Sequence, residues 1–94
     1  GFITLGLYDV AMALEGKFRY KSFTMEENEK IYEEIDINKV KKIFIIFEVP
    51  YNSTVYEISN ILEKLRKRNK KINLNFGAPV VDSDEIKINV FYEI

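Results

Sequence analysis

The chain has 94 residues, with 14 Lys and Arg against 15 Asp and Glu and a formal charge of -1. That length suffices for one compact domain and is too short for two, and the balanced charge excludes a protein that binds polyanions by counterion release. The absence of both Cys and His excludes disulfides, thiolate nucleophiles, imidazole bases and the commonest transition-metal ligands. A domain this small buries only roughly 60–65% of the surface its unfolded chain exposes, so a partner surface matters to it. No long apolar run and no basic-then-apolar leader is legible, which fits a cytoplasmic protein. Opening on Gly1 rather than on a methionine leads to the expectation that residues 1–94 are a single domain excised from a longer protein. Richness in Ile, Lys, Glu, Asn and Tyr suits a thermophile's composition.

In chain order, Ile3, Leu5 and Leu7 alternate within Phe2 to Tyr8 and predict a strand. Asp9 to Glu15 reads as a short helix ended at Gly16. Lys17 to Phe23 alternates charged and aromatic residues, a pattern that suits either a second strand or an extended loop. Thr24 with Glu27 is a capping box, and it predicts a helix that carries Met25, Ile31, Tyr32 and Ile35 on one face. Glu26, Glu27 and Glu29 sit where the positive end of the helix dipole favours acids.

Ile43 to Phe47 is an unbroken β-branched and aromatic run, the pattern of a central strand covered on both faces. Pro50 ends it, and Thr54 with Glu57 forms a second capping box. The helix so opened predicts an apolar stripe of Val55, Ile58, Ile61, Leu62 and Leu65, with Lys64, Arg66, Lys67, Arg68, Lys70 and Lys71 at its negative end. Strands over Ile72 to Phe76 and Ile86 to Tyr92 follow, with the first running into a glycine turn at Gly77 and the two joined as a hairpin around Asp82 to Glu85. The order β-α-β-α-β-β predicts an α+β two-layer sandwich, a mixed sheet with helices packed on one face.

Several of these segments resemble the C-terminal domain of the FtsZ and tubulin superfamily of filament-forming GTPases. Asp36-Ile37-Asn38-Lys39-Val40-Lys41 looks like that domain's lead into a strand, and Thr54-Val55-Tyr56-Glu57-Ile58 like its helix opening. Asn73-Leu74-Asn75-Phe76-Gly77-Ala78 is similar to its Asn-Ile-Ile-Phe-Gly-Ala, with Asp82 in the place of a following aspartate. Ile3-Thr4-Leu5-Gly6-Leu7 resembles its opening strand. The departures are a Gly-Gly loop replaced by Val49-Pro50 before Tyr51, and a first helix displaced to Thr24. The stiffer turn puts the loop's contacts in doubt.

The resemblance implies the C-terminal assembly domain of a cytoskeletal or cell-division GTPase. Its partners would be neighbouring subunits or other cell-division proteins, and Pro50, Tyr51, Asn52, Ser53 and Thr54, with the start of the following helix, would form the contact. GTP would belong to an N-terminal domain of the parent, and this chain alone would hold no catalytic, cofactor or metal residue and bind no nucleotide. The alternative is a stand-alone module of the same fold that regulates or caps filaments or binds a small ligand, a reading that the lost Gly-Gly loop motivates.

Other features have a plainer explanation beside the functional one. The basic run Lys64 to Lys71 is ordinary for a helix end. The acids from Glu26 to Asp36 lack an Asp-x-Asp-x-Asp-Gly loop, and Asp82, Asp84 and Glu85 are common turn residues. Phe18, Tyr20 and Phe23 between Lys17, Arg19 and Lys21 suit a single-strand nucleic-acid platform or a half-buried strand.

Overall fold

The computed structural model describes residues 18–53 and 55–94. The strand and helix expected over Phe2 to Glu15 lie outside the described residues, as does Thr54. The elements are β1 (Arg19–Thr24), a 3-10 turn (Met25–Glu27), α1 (Lys30–Glu34), a second 3-10 turn (Ile37–Lys39), β2 (Lys42–Pro50), α2 (Tyr56–Arg68), β3 (Asn73–Gly77), β4 (Val80–Val81) and β5 (Lys87–Glu93). Lys17 to Phe23, open between strand and loop, resolves from Arg19 onward as β1. The first helical turns therefore follow a strand directly.

The helix foreseen from Thr24 is split in two. Its capping contact is real, because the Thr24 amide donates to Glu27 Oε1 at 2.9 Å. That bond stabilises the ionised carboxylate and holds the pKa of Glu27 below its ordinary value. The split has a tertiary cause. The Met25 amide donates to the Ile86 carbonyl at 3.1 Å, tying the first turn to the residue before β5. Asn28 closes that turn with its backbone and side-chain nitrogens, both donating to the Met25 carbonyl. Only the five residues of α1 then run as α-helix, and they still bury Ile31 and pass Ile35 into the core.

The strands lie in the order β1-β5-β2-β3. β5 is antiparallel to both β1 and β2, whereas β3 is parallel to β2. The expected hairpin of the last two strands is therefore wrong: β5 inserts on the far side of β2 from β3. Alternation identified both strands but carried no information on which neighbour each would choose. A parallel β2 to β3 pairing needs a long crossover, which α2 supplies.

Gly77 is likewise no turn. It pairs with Ile46 inside β3, its φ is not in the left-handed range, and a Cβ there would meet open space. β3 and β4 continue one another along β2 in the same register, with Val49 opposite Val80 and Pro50 opposite Val81. Pro79 interrupts them by lacking an amide, yet its carbonyl still accepts from the Val49 amide at 2.9 Å.

Phe23, Ile43, Ile45, Phe47, Val49, Ile88, Val90 and Tyr92 face the two helices and pack on Ile31, Ile35, Ile58, Ile61, Leu62 and Leu65. Val55, foreseen on this stripe, stands before the first turn of α2 and is exposed. Asn69 locks the far end of α2, donating from Nδ2 to the carbonyls of Ile37 and Val40, each at 2.9 Å. On the opposite face of the sheet Phe91 and Ile46 pack with Phe18 and Phe44.

Candidate assembly surface

The end of β2 leads straight into the candidate residues. Pro50 pairs with Val81 in the last rung of the sheet, and its carbonyl accepts from the Ser53 amide at 3.1 Å. That bond closes a four-residue turn with Tyr51 and Asn52 at its tip. A proline at the strand end followed by small polar residues favours such a turn, and it leaves the aromatic no core to enter. Tyr51 is accordingly 85% exposed and Asn52 is exposed, while Pro50 and Ser53 are partly covered.

Three apolar side chains stand at the same end: Val55 and Tyr56 at the helix start that the resemblance includes in the contact, and Val80, which the sequence did not assign to it. Val55 is 62% exposed, Tyr56 74% and Val80 58%. Val55 and Tyr56 open α2, which follows the turn, and Val80 lies beside the last residues of β2. Val55 and Tyr56 are exposed because they precede the first residue of the helix that reaches the sheet, Ile58. Solvent-facing aromatics and valines gathered at one end form the kind of apolar surface that marks an interaction site. Glu57 in the first turn of α2 and the exposed Asp82, Asp84 and Glu85 give this end an acidic rim.

The other candidate groups take structural places. Lys64 leaves the basic run to bond both carboxylate oxygens of Glu29, at 2.9 and 3.0 Å, and its Nζ lies 4.4 Å from the centre of the Tyr32 ring. The Arg68 guanidinium flanks the same ring at 5.0 Å, so the two cations clamp α1 onto α2. Tyr32 Oη is buried without a hydrogen-bond partner among the described residues. Burial, with the Glu29 charge and against that of Arg68, pushes its pKa up to about 12.

Glu27, Glu34 and Asp36 pair with Lys30, Lys21 and Lys39, and no group of metal-ligating side chains gathers among the described residues. Phe18 and Tyr20 stack on Phe91 at 5.9 and 4.8 Å. Phe23 is buried in the helix-side core, so the three aromatics share no binding face. Asn89, unassigned from the sequence, is the buried polar residue of this sheet face. It accepts from Tyr20 Oη at 2.9 Å and donates to Glu48 Oε2 at 2.7 Å and to the Ile46 carbonyl at 3.3 Å.

No protein-family model and no curated protein matches the chain. Solved structures do. The FtsZ dimer from M. jannaschii superposes with a TM-score of 0.60 over 98% of this chain and 32% of its own, at 14% identity. The chain has the fold of an FtsZ-like C-terminal domain.

A GTPγS-form protofilament of Bacillus thuringiensis serovar israelensis TubZ matches 81% of this chain and 24% of its own, with a TM-score of 0.57 and 14% identity. Thiamine monophosphate kinase from Aquifex aeolicus matches at a TM-score of 0.57 and 16% identity, over 94% of this chain and 41% of its own. The chain thus spans less than half the length of each of these proteins. One architecture serves filament proteins and a kinase alike, so function has to be argued from the surface. Among the described residues no helix is long and apolar enough to cross a membrane.

Proposed function

We propose that this chain is the assembly half of an FtsZ-like cytoskeletal GTPase, docking lengthwise against the nucleotide face of the next subunit. The observation that carries the reading is the exposed Tyr51, Val55, Tyr56 and Val80 at one end of the domain. An aromatic anchor with polar neighbours is what a hot spot requires, and Tyr51 beside Asn52 and Ser53 has that form. The stiff Pro50 turn takes over from the Gly-Gly loop and holds the ring outward at lower entropic cost on binding. On this reading GTP binds an upstream domain of a parent protein, this chain alone neither binds nor hydrolyses it, and the assembly is cytoplasmic. The TubZ protofilament supports a partner of the same kind.

The test is sedimentation of the parent protein with and without GTP. Tyr51→Ala should reduce the GTP-dependent pellet at least several-fold while the thermal midpoint stays within about 2 °C, since an exposed side chain leaves the core intact. An unchanged pellet overturns the assignment of Tyr51 to the contact.

The kinase match favours a second reading, a stand-alone module that binds a protein or small ligand. A gene product limited to this domain, or a parent that never pellets with GTP, would select it.

A further inference from the structure

The two neighbours of β2 leave one edge of the sheet unlike the other. Among the described residues β3 pairs only with β2. Natural edge strands are blunted by charges, prolines or bulges, yet Asn73–Gly77 holds none of these. The ladder fixes which of its groups face outward. The Asn73 amide donates to the Lys41 carbonyl and the Pro79 carbonyl accepts from Val49. The residues between alternate, so the amides and carbonyls of Leu74, Phe76 and Ala78 point away from β2. Phe76, in the middle of this row, is 47% exposed.

Charge is distributed unevenly along the same edge. Lys67, Lys70 and Lys71 lie before β3, and Asp82, Asp84 and Glu85 follow β4, all of them exposed. Lys70 and Asp82 are equally distant in sequence from Phe76. Two copies set antiparallel about Phe76 would place each basic end against the other's acidic end, and a parallel arrangement would set like against like.

We propose that two copies of this chain pair edge to edge through β3, antiparallel about a two-fold axis at Phe76, to make one continuous sheet. Leu74, Phe76 and Ala78 of each copy exchange main-chain hydrogen bonds with Ala78, Phe76 and Leu74 of the other. Lys70 of each copy meets Asp82 of its mate, and the two Phe76 rings cover one another. Such an interface is isologous and closes at the dimer. It runs along the β3 edge and shares Asp82 with the rim of the Tyr51 surface, so it would join chains sideways, and it is tested on this chain without lengthwise assembly.

Sedimentation velocity of the 94-residue chain from about 10 μM to about 1 mM tests it. A monomer–dimer equilibrium that weakens with added salt is expected. Ala78→Pro removes one outward amide without touching the core, and should weaken the dimer at least tenfold. Lys70→Glu should weaken it several-fold, and Lys70→Glu with Asp82→Lys should restore it. A chain that stays monomeric throughout, a dimer indifferent to Ala78→Pro, or a charge swap that fails to restore association overturns the proposal.

Discussion

β5 and β3 both pair with β2, yet they are opposite kinds of strand. β5 is hydrogen-bonded on both sides and five consecutive residues, Ile88 to Tyr92, are buried. β3 stands at the edge, its residues exposed or half-buried. The difference comes from neighbours and composition together: β5 carries Ile88, Val90, Phe91 and Tyr92 around a single Asn, whereas β3 carries two Asn and a Gly beside Leu74 and Phe76. A strand flanked on both sides gains cross-strand contacts from two partners, and the edge strand from one. The centre therefore bears stability, and the edge is free to bear association.

The largest effect that would sharpen this contrast is truncation of an apolar side chain on each strand. Ile88→Ala, which empties a fully buried site facing the helices, should cost about 2–5 kcal/mol in urea unfolding. Phe76→Ala, despite the ring's edge contact with Phe47 at 6.4 Å, should cost no more than about 1.5 kcal/mol. Equal losses would mean that β3 belongs to the core after all.

A finer test compares asparagines on the outer face of the two strands. Asn89→Ala leaves Tyr20 and Glu48 without their side-chain partner and removes the side-chain donor to the Ile46 carbonyl, and should destabilise by about 1–3 kcal/mol. Asn75, exposed and, among the described residues, bonded through its side chain only to Asn73 at 3.3 Å, should tolerate Ala within about 0.5 kcal/mol. The smallest effect is that of Gly77→Ala. With no positive φ and no atom near the added Cβ, the change should leave the thermal midpoint unaltered or raise it by the equivalent of about 0.5–1 kcal/mol, through the unfolded chain's lost freedom. A marked fall would show that Gly77 is a place of close approach.

The same contrast explains what could be read in advance. Ile43 to Phe47 was legible as a central strand, and Ile58, Ile61, Leu62 and Leu65 as the buried stripe of a helix, because burial on a sheet imposes a repeat on the residues themselves. The Thr24 and Glu27 cap was legible for the same local reason. The split of the helix it opens was not, because the bond from Met25 to Ile86 joins residues far apart in the chain. Pro50 to Ser53 was legible as a turn carrying Tyr51, and the start of α2 as part of the same contact, whereas Val80 joined the surface only when β4 paired with the end of β2.

By itself the sequence determined the alternation of strands and helices, the class of fold and the absence of thiol and imidazole chemistry, all of which follow from side-chain periodicity and composition. The tertiary structure decided that β5 enters between β1 and β2, that Gly77 extends a strand, that Asn89 is a buried polar residue of one face, and that among the described residues β3 pairs with β2 alone. Those outcomes depend on which backbone edge each strand finds. Main-chain hydrogen bonding is nearly blind to side-chain identity, so that choice is made only when the whole sheet and its covering helices are packed together.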